Sequence, residues 1–249
     1  MLLAISFLII LIGYKVFGWN ESNQLDIIWK EFIHKYSIDD NLSNQWLELI
    51  KTHYREPQRH YHTLKHIEEM LNLFLLFRDK LDDPDTVFLA IIFHDIIYNP
   101  RAVDNEELSA VEFERFYQDI TRGNYNRGKL AVNNTLVSQY ILETKTHSVS
   151  PSLATDSDLL LFLDFDMAIL GTKERDYVKY SEQIRTEYQH IPLVIYTQRR
   201  SEVLKGFLEY QWIYNTDWFK ISHEKTARAN IAREISYLSQ LPEENKQDL

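Results

Sequence analysis

The chain has 249 residues, 45% apolar and 26% charged, a composition of globular proteins and not of disordered ones. A formal net charge of −10 argues against a broad duplex DNA or RNA surface, but not against a small anionic substrate in a locally basic pocket. With no Cys there is neither a disulfide nor a thiolate zinc site, and with 6 Gly and 6 Pro long helices are favoured over a many-turned β fold.

Residues 2–18, opening LLAISFLIILIG, carry Lys15 as their one charge. The length is at the low end for a membrane-spanning helix, and no basic region precedes it as in a signal peptide. Lys15, Lys30 and Lys35 lie in or after this span, which points to a cytoplasmic C-terminal part anchored at the inner face of a membrane. The other reading is an apolar helix docked on the domain. Residues 1–19 are therefore set apart from a single domain over 20–249.

From Leu25 onward the spacing is helical. Leu25, Ile28, Trp29, Phe32, Ile33 and Tyr36 share one face, and Asn41 to Tyr54 forms a second amphipathic helix. Leu64 to Leu81 follows Pro57, and Asp82-Asp83-Pro84-Asp85 is a turn and helix start. Val87 to Tyr98, VFLAIIFHDIIY, reads as a buried helix ending at Asn99-Pro100. Further helices are expected over Asp104–Thr121, Lys129–His147, Leu159–Leu170, Arg175–Gln189, Leu193–Tyr210 and His223–Leu238. GNYNRGKL, residues 123–130, is no Walker A loop, because Leu130 stands where a Ser or Thr is needed and a helix precedes it. The expectation is one all-α domain.

Polar groups stand where the pattern demands apolar ones. Asp95, beside His94, sits inside an apolar helix, which is costly unless it is paired or bound to a cation. RHYHTLKHI, residues 59–67, brings His62 and His66 four apart, hence onto one face if the helix includes both. Asp164 and Asp166 repeat the anomaly in LLLFLDFDMAIL, and two residues apart they point to nearly opposite sides of a helix. One divalent metal would resolve all three anomalies. Two imidazoles and two carboxylates suit Mn, Fe, Co, Zn or Mg, with open positions for water.

His66, His94-Asp95 and Asp166 resemble the H…HD…D signature of the HD superfamily of metal-dependent phosphohydrolases. The local text is most similar to small bacterial predicted HD phosphohydrolases, through RHYHTLKHI, FHDIIYNP, NEELSA (105–110), LETKTH (142–147) and DFDMAILG (164–171). The resemblance spans roughly residues 25–240 and implies an all-α, HD-domain-like helical bundle. It makes His66, His94, Asp95 and Asp166 ligands of one divalent ion, with Asp164 as second choice. Thr63, where phosphodiesterase-like members usually have Asn, and Ile97-Tyr98, in place of an acidic extension, depart from two branches of the superfamily.

The implied function is hydrolysis of a phosphate ester or pyrophosphate of a small, nucleotide-like molecule by metal-activated water. His62 would protonate the leaving oxygen. Arg59, Lys65, Arg101 and Lys145 would hold phosphate oxygens. Glu106 and Glu107 would orient ligands or water, and His147 would support the ligands. His34, His190 and His223 read as ordinary surface residues. The alternatives are a regulatory HD-type domain without turnover, or a di-iron HD oxygenase.

Overall fold

Apolar residues recurring every third or fourth position bury one stripe of each helix, and those stripes close on one core running from Leu25 to Leu238. The computed structural model describes residues 24–122, 130–147 and 149–241, and among these it is helical with no strand. The apolar segment 2–18 and most of the loop 123–130 lie outside the described residues, and among those described no helix is long and apolar enough to cross a membrane.

The α-helices are α1 (Gln24–Tyr36), α2 (Asp40–His53), α3 (Leu64–Phe77), α4 (Pro84–Phe93), α5 (Asn105–Arg122) and α6 (Asn134–Glu143). They continue as α7 (Ser157–Met167), α8 (Glu174–Glu187), α9 (Leu193–Glu209), α10 (Asp217–Ser222) and α11 (Glu224–Gln240). Single 3₁₀ turns, Arg78–Lys80 and Ala168–Gly171, extend α3 and α7.

Helix α4 is the axle. Asp83 caps its N-terminus by accepting from the Thr86 N–H, and Pro84 takes the first turn. Every residue from Val87 to Phe93 is buried, because α3, α5, α6 and α7 pack around it. An apolar helix with no polar stripe can only be stable in such a place. At its end the ring of Phe93 meets Phe113 at 5.4 Å and Phe116 at 5.1 Å, and Phe116 meets Trp46 at 5.4 Å. Phe116→Ala is expected to cost about 3–5 kcal/mol of stability, read as a lowered midpoint in denaturant unfolding. A change under about 1 kcal/mol would mean that this cluster is not the packed centre.

Three sequence expectations need correction, and one short helix lies where none was expected. Helix α4 stops at Phe93, so His94 is its C-cap and Asp95 lies in the following turn, not inside a helix. Buried Arg59 fixes that turn, donating to the Asp95 carbonyl at 2.7 Å and the Ile96 carbonyl at 2.8 Å. Helix α3 begins at Leu64 with Thr63 as its cap, so His62 precedes it and shares no helical face with His66. Helix α6 is shorter than the spacing implied, beginning at Asn134 behind the Asn133 cap. Finally, the C-terminal helix is preceded by α10, which is too short to show a period.

Candidate metal centre

His94 sets the geometry. Its Nδ1 lies 2.9 Å from the Ile91 carbonyl, one turn back. A carbonyl can only accept, so Nδ1 carries the proton and Nε2 presents a lone pair. That lone pair faces His66 Nε2 at 3.3 Å, Asp95 Oδ2 at 3.0 Å and Asp166 Oδ1 at 3.8 Å. His66 Nε2 is itself 3.1 Å from Asp166 Oδ1. One ligand atom each from His66, His94 and Asp166 falls within 4.8 Å of the others, and both imidazoles are buried, at 2% and 1% exposure.

Lone pairs and carboxylate oxygens aimed at one point repel unless positive charge sits among them. In the protein alone a proton fills that need. Burial disfavours the charged His94 ring, yet Asp95 and Asp166 lift it to about 9. Burial likewise pushes Asp95 and Asp166 up. The His94 charge holds Asp95 below the usual carboxylate range, and hydrogen bonds from His147 and His66 do so for Asp166. Two imidazole nitrogens with carboxylate oxygens form a borderline-hard donor set, so the residues present fit a divalent ion.

The two aspartates of α7 divide as a helix requires. Asp166 joins the cluster. Asp164 points the other way and accepts from the backbone N–H groups of Asn215 at 2.7 Å and Thr216 at 2.8 Å, and from the Thr216 hydroxyl at 2.6 Å. It anchors the start of α10. Burial raises its carboxyl to about 6 against these hydrogen bonds. His147 approaches from the loop after α6, its Nε2 2.9 Å from the outer oxygen of Asp166. Its φ of 50° lies in the left-handed region, a backbone cost taken at a residue that supports the cluster.

His62 arrives from the loop before α3. Its Nδ1 is 2.7 Å from Glu187 Oε2, which turns Nε2 toward the cluster, 4.0 Å from Asp95 Oδ2. The ring stacks on Tyr98 at 4.4 Å, and the Tyr98 hydroxyl donates to the same Glu187 oxygen at 2.7 Å. Glu187 Oε1 accepts the backbone N–H groups of His60, Tyr61 and His62 at 2.7, 2.8 and 3.1 Å. Burial opposes ionisation of Glu187, but these bonds hold it down at about 2. Burial also lowers His62, and the Glu187 and Asp95 carboxylates more than reverse this, leaving its pKa above the ordinary histidine value. Glu187 and Tyr98 are not evident from motif spacing. The one available signal is that Glu187 continues the buried α8 stripe of Tyr177 and Ile184.

The remaining candidates are placed differently. The Arg59 side chain is wholly buried and its guanidinium is spent on the protein's own oxygens, so it shapes the loop and cannot grip a phosphate. Exposed Lys145 and Glu107 pair with each other at 2.5 Å, and Lys145 also donates to the Val103 carbonyl. Arg101 is exposed and Glu106 half-buried, and neither side chain hydrogen-bonds or ion-pairs with the cluster. Lys65, paired with Glu69 at 3.3 Å, borders a cleft of about 770 Å³ that reaches the cluster at His66 and Asp166.

His223 is not the surface residue its sequence suggests. It lines the cleft beside Trp218 and is packed so closely on Gly171 that a Cβ there would lie 2.5 Å from its own Cβ. Burial depresses its pKa to about 4. The unfolded chain takes up this proton near pH 6.5 and the folded one does not. Stability is therefore lost as pH falls from about 6.5 to about 4, by at most about 3 kcal/mol. His223→Gln is expected to flatten that part of the stability–pH curve in denaturant titrations. An unchanged slope would show that His223 is accessible to protons in the folded state.

Comparison with protein-family models, with curated proteins and with solved structures finds no match to this chain.

Proposed function

We propose that this chain is a metal-dependent phosphohydrolase built on an HD-domain-like helical bundle. The observation that carries the reading is the meeting of His66, His94 and Asp166, from α3, the end of α4 and α7, around one point, with Asp95 Oδ2 3.0 Å from His94 Nε2 beside it. A divalent ion bound there supplies a Lewis acid that acidifies water and polarises a phosphoryl oxygen. The protein's own groups account for the rest. Asp166 is steadied by His147, and His94 by the Ile91 carbonyl, so both keep one orientation. His62, fixed by Glu187 and facing inward, is placed to give its Nε2 proton to the departing ester oxygen as the P–O bond breaks and water adds to phosphorus. Lys65, at the cleft wall, is the phosphate-holding candidate with an open approach.

A purely structural His–Asp network would not need the Glu187–His62–Tyr98 assembly beside it. The test is elemental analysis of the purified protein, followed by a screen of phosphorylated small molecules for released phosphate with and without added divalent ions. The expected result is one tightly held ion per chain and metal-dependent phosphate release from at least one substrate class. Protein that takes up no ion, or that releases phosphate equally well in excess chelator, would overturn the reading.

A further inference from the structure

The cleft beside the cluster has a definite chemistry. Its buried lining is mostly apolar, formed by Tyr61, Met70, Leu73, Phe165 and Ala168, with half-buried Ile169 and Trp218 alongside. The fully buried polar group that faces it, His66, belongs to the cluster, as does Asp166. Three further polar groups along the wall have donors spent inside the protein, whereas Tyr61, Asn72 and Tyr180 present theirs at its margins. Thr172 donates to the Ile169 carbonyl at 2.8 Å, Gln183 to the His60 carbonyl at 2.6 Å and Ser222 to the Trp218 carbonyl at 2.6 Å. A nucleobase would need free donors and acceptors along its edge, and the floor of Met70, Leu73, Phe165 and Ala168 offers none. An alkyl or aryl body needs none.

Charge at the open side adds a second constraint. Exposed Lys65, Lys173 and Lys179 border the cleft, with the acids Glu69 and Asp176. Glu69 is matched by Lys65, and Asp176 by Arg175 at 3.3 Å. Lys173 and Lys179 make no side-chain ion pair among the described residues. In a chain of net charge −10 this is a locally cationic rim, suited to drawing in an anion.

We infer that the cleft is the subsite for the apolar body of an amphiphilic phosphate ester, whose phosphate lies at the His66–Asp166 end. The body subsite rests on the cleft's lining, and the assignment of the phosphate end rests on the phosphohydrolase reading above. A volume of about 770 Å³ is in the range that encloses a drug-sized ligand.

The test is calorimetric binding of n-alkylphosphonates of two to ten carbons to the full-length protein, with inorganic phosphate and adenosine 5′-monophosphate as references. Affinity is expected to tighten by about fourfold per added methylene until the cleft is filled, the increment expected for burying a CH₂ group. Ile169→Asn, which places an amide on the wall, should reduce that increment. Ser222→Trp, which adds bulk at an exposed rim position, should cap affinity at short chains. Either variant should leave binding of inorganic phosphate within about twofold, since neither position touches the cluster. Affinity independent of chain length, an increment that survives in both variants, or adenosine monophosphate binding tighter than octylphosphonate would overturn the inference. Hydrolysis of octyl phosphate, followed separately, tells the two readings apart. Chain-length-dependent binding without turnover sustains the subsite and defeats the hydrolase. Metal-dependent turnover of short phosphates with no chain-length effect on binding does the reverse.

Discussion

His66→Ala is expected to abolish stable divalent binding and, with it, hydrolysis. His66 Nε2 is one of the three ligand atoms that converge within 4.8 Å of one another, so its loss leaves two. Loss of a partner that merely orients a metal ligand costs about 10–100-fold in affinity, and loss of a ligand should exceed that. The ion content measured after desalting should fall from one per chain to near none. The fold should persist, because truncating His66 removes contacts to Asp166, His94 and the Tyr61 ring and leaves the apolar core intact. If His66→Ala keeps its ion at wild-type occupancy, the cluster is not the metal centre.

His62→Ala should behave in the opposite way on one count and alike on the other. Its Nε2 is 4.0 Å from Asp95 and outside the converging set, so the ion should be retained. The rate should nevertheless fall roughly 10²–10⁴-fold on esters with poor leaving groups, the usual range for general acid–base catalysis. On p-nitrophenyl phosphate the loss should shrink, since that leaving group scarcely needs a proton. Glu187→Gln is expected to follow His62→Ala in leaving-group dependence with a smaller loss, about 10²-fold, because the ring would lose its fixed direction. Equal loss of metal in His62→Ala and His66→Ala would make His62 a ligand. Equal rate losses on both leaving groups, with metal retained, would make it a residue that positions substrate.

Much of this arrangement was legible in the sequence, and the reasons are physical. Polar residues inside apolar runs must find partners, so His94-Asp95 and the Asp164–Asp166 pair announced themselves. The two-residue spacing allowed only one of those aspartates to face the cluster, and Asp166 does so while Asp164 holds Asn215 and Thr216 ahead of α10. The helical period likewise marked α1 to α3, α5, α7 to α9 and α11 to within a few residues. What was not legible depended on distant pairing. The end of α4 at Phe93 is set by the turn that Arg59 holds from a separate loop, and local propensity contains no trace of it. Arg59 looked like a phosphate ligand because its type suits one, whereas its burial is a property of the folded chain. Glu187 lies more than a hundred residues from His62, so no motif could join them. His223 was misjudged because the glycine that lets it pack, Gly171, comes from another element.

The most direct measurement of the central claim is anomalous diffraction from crystals of the full-length protein grown with Zn, recorded above and below the metal's absorption edge. The account predicts one strong anomalous peak, about 2.0–2.2 Å from His66 Nε2, His94 Nε2 and a carboxylate oxygen of Asp166. A cluster without a peak, or a peak confined to the exposed acids of the surface, would contradict it.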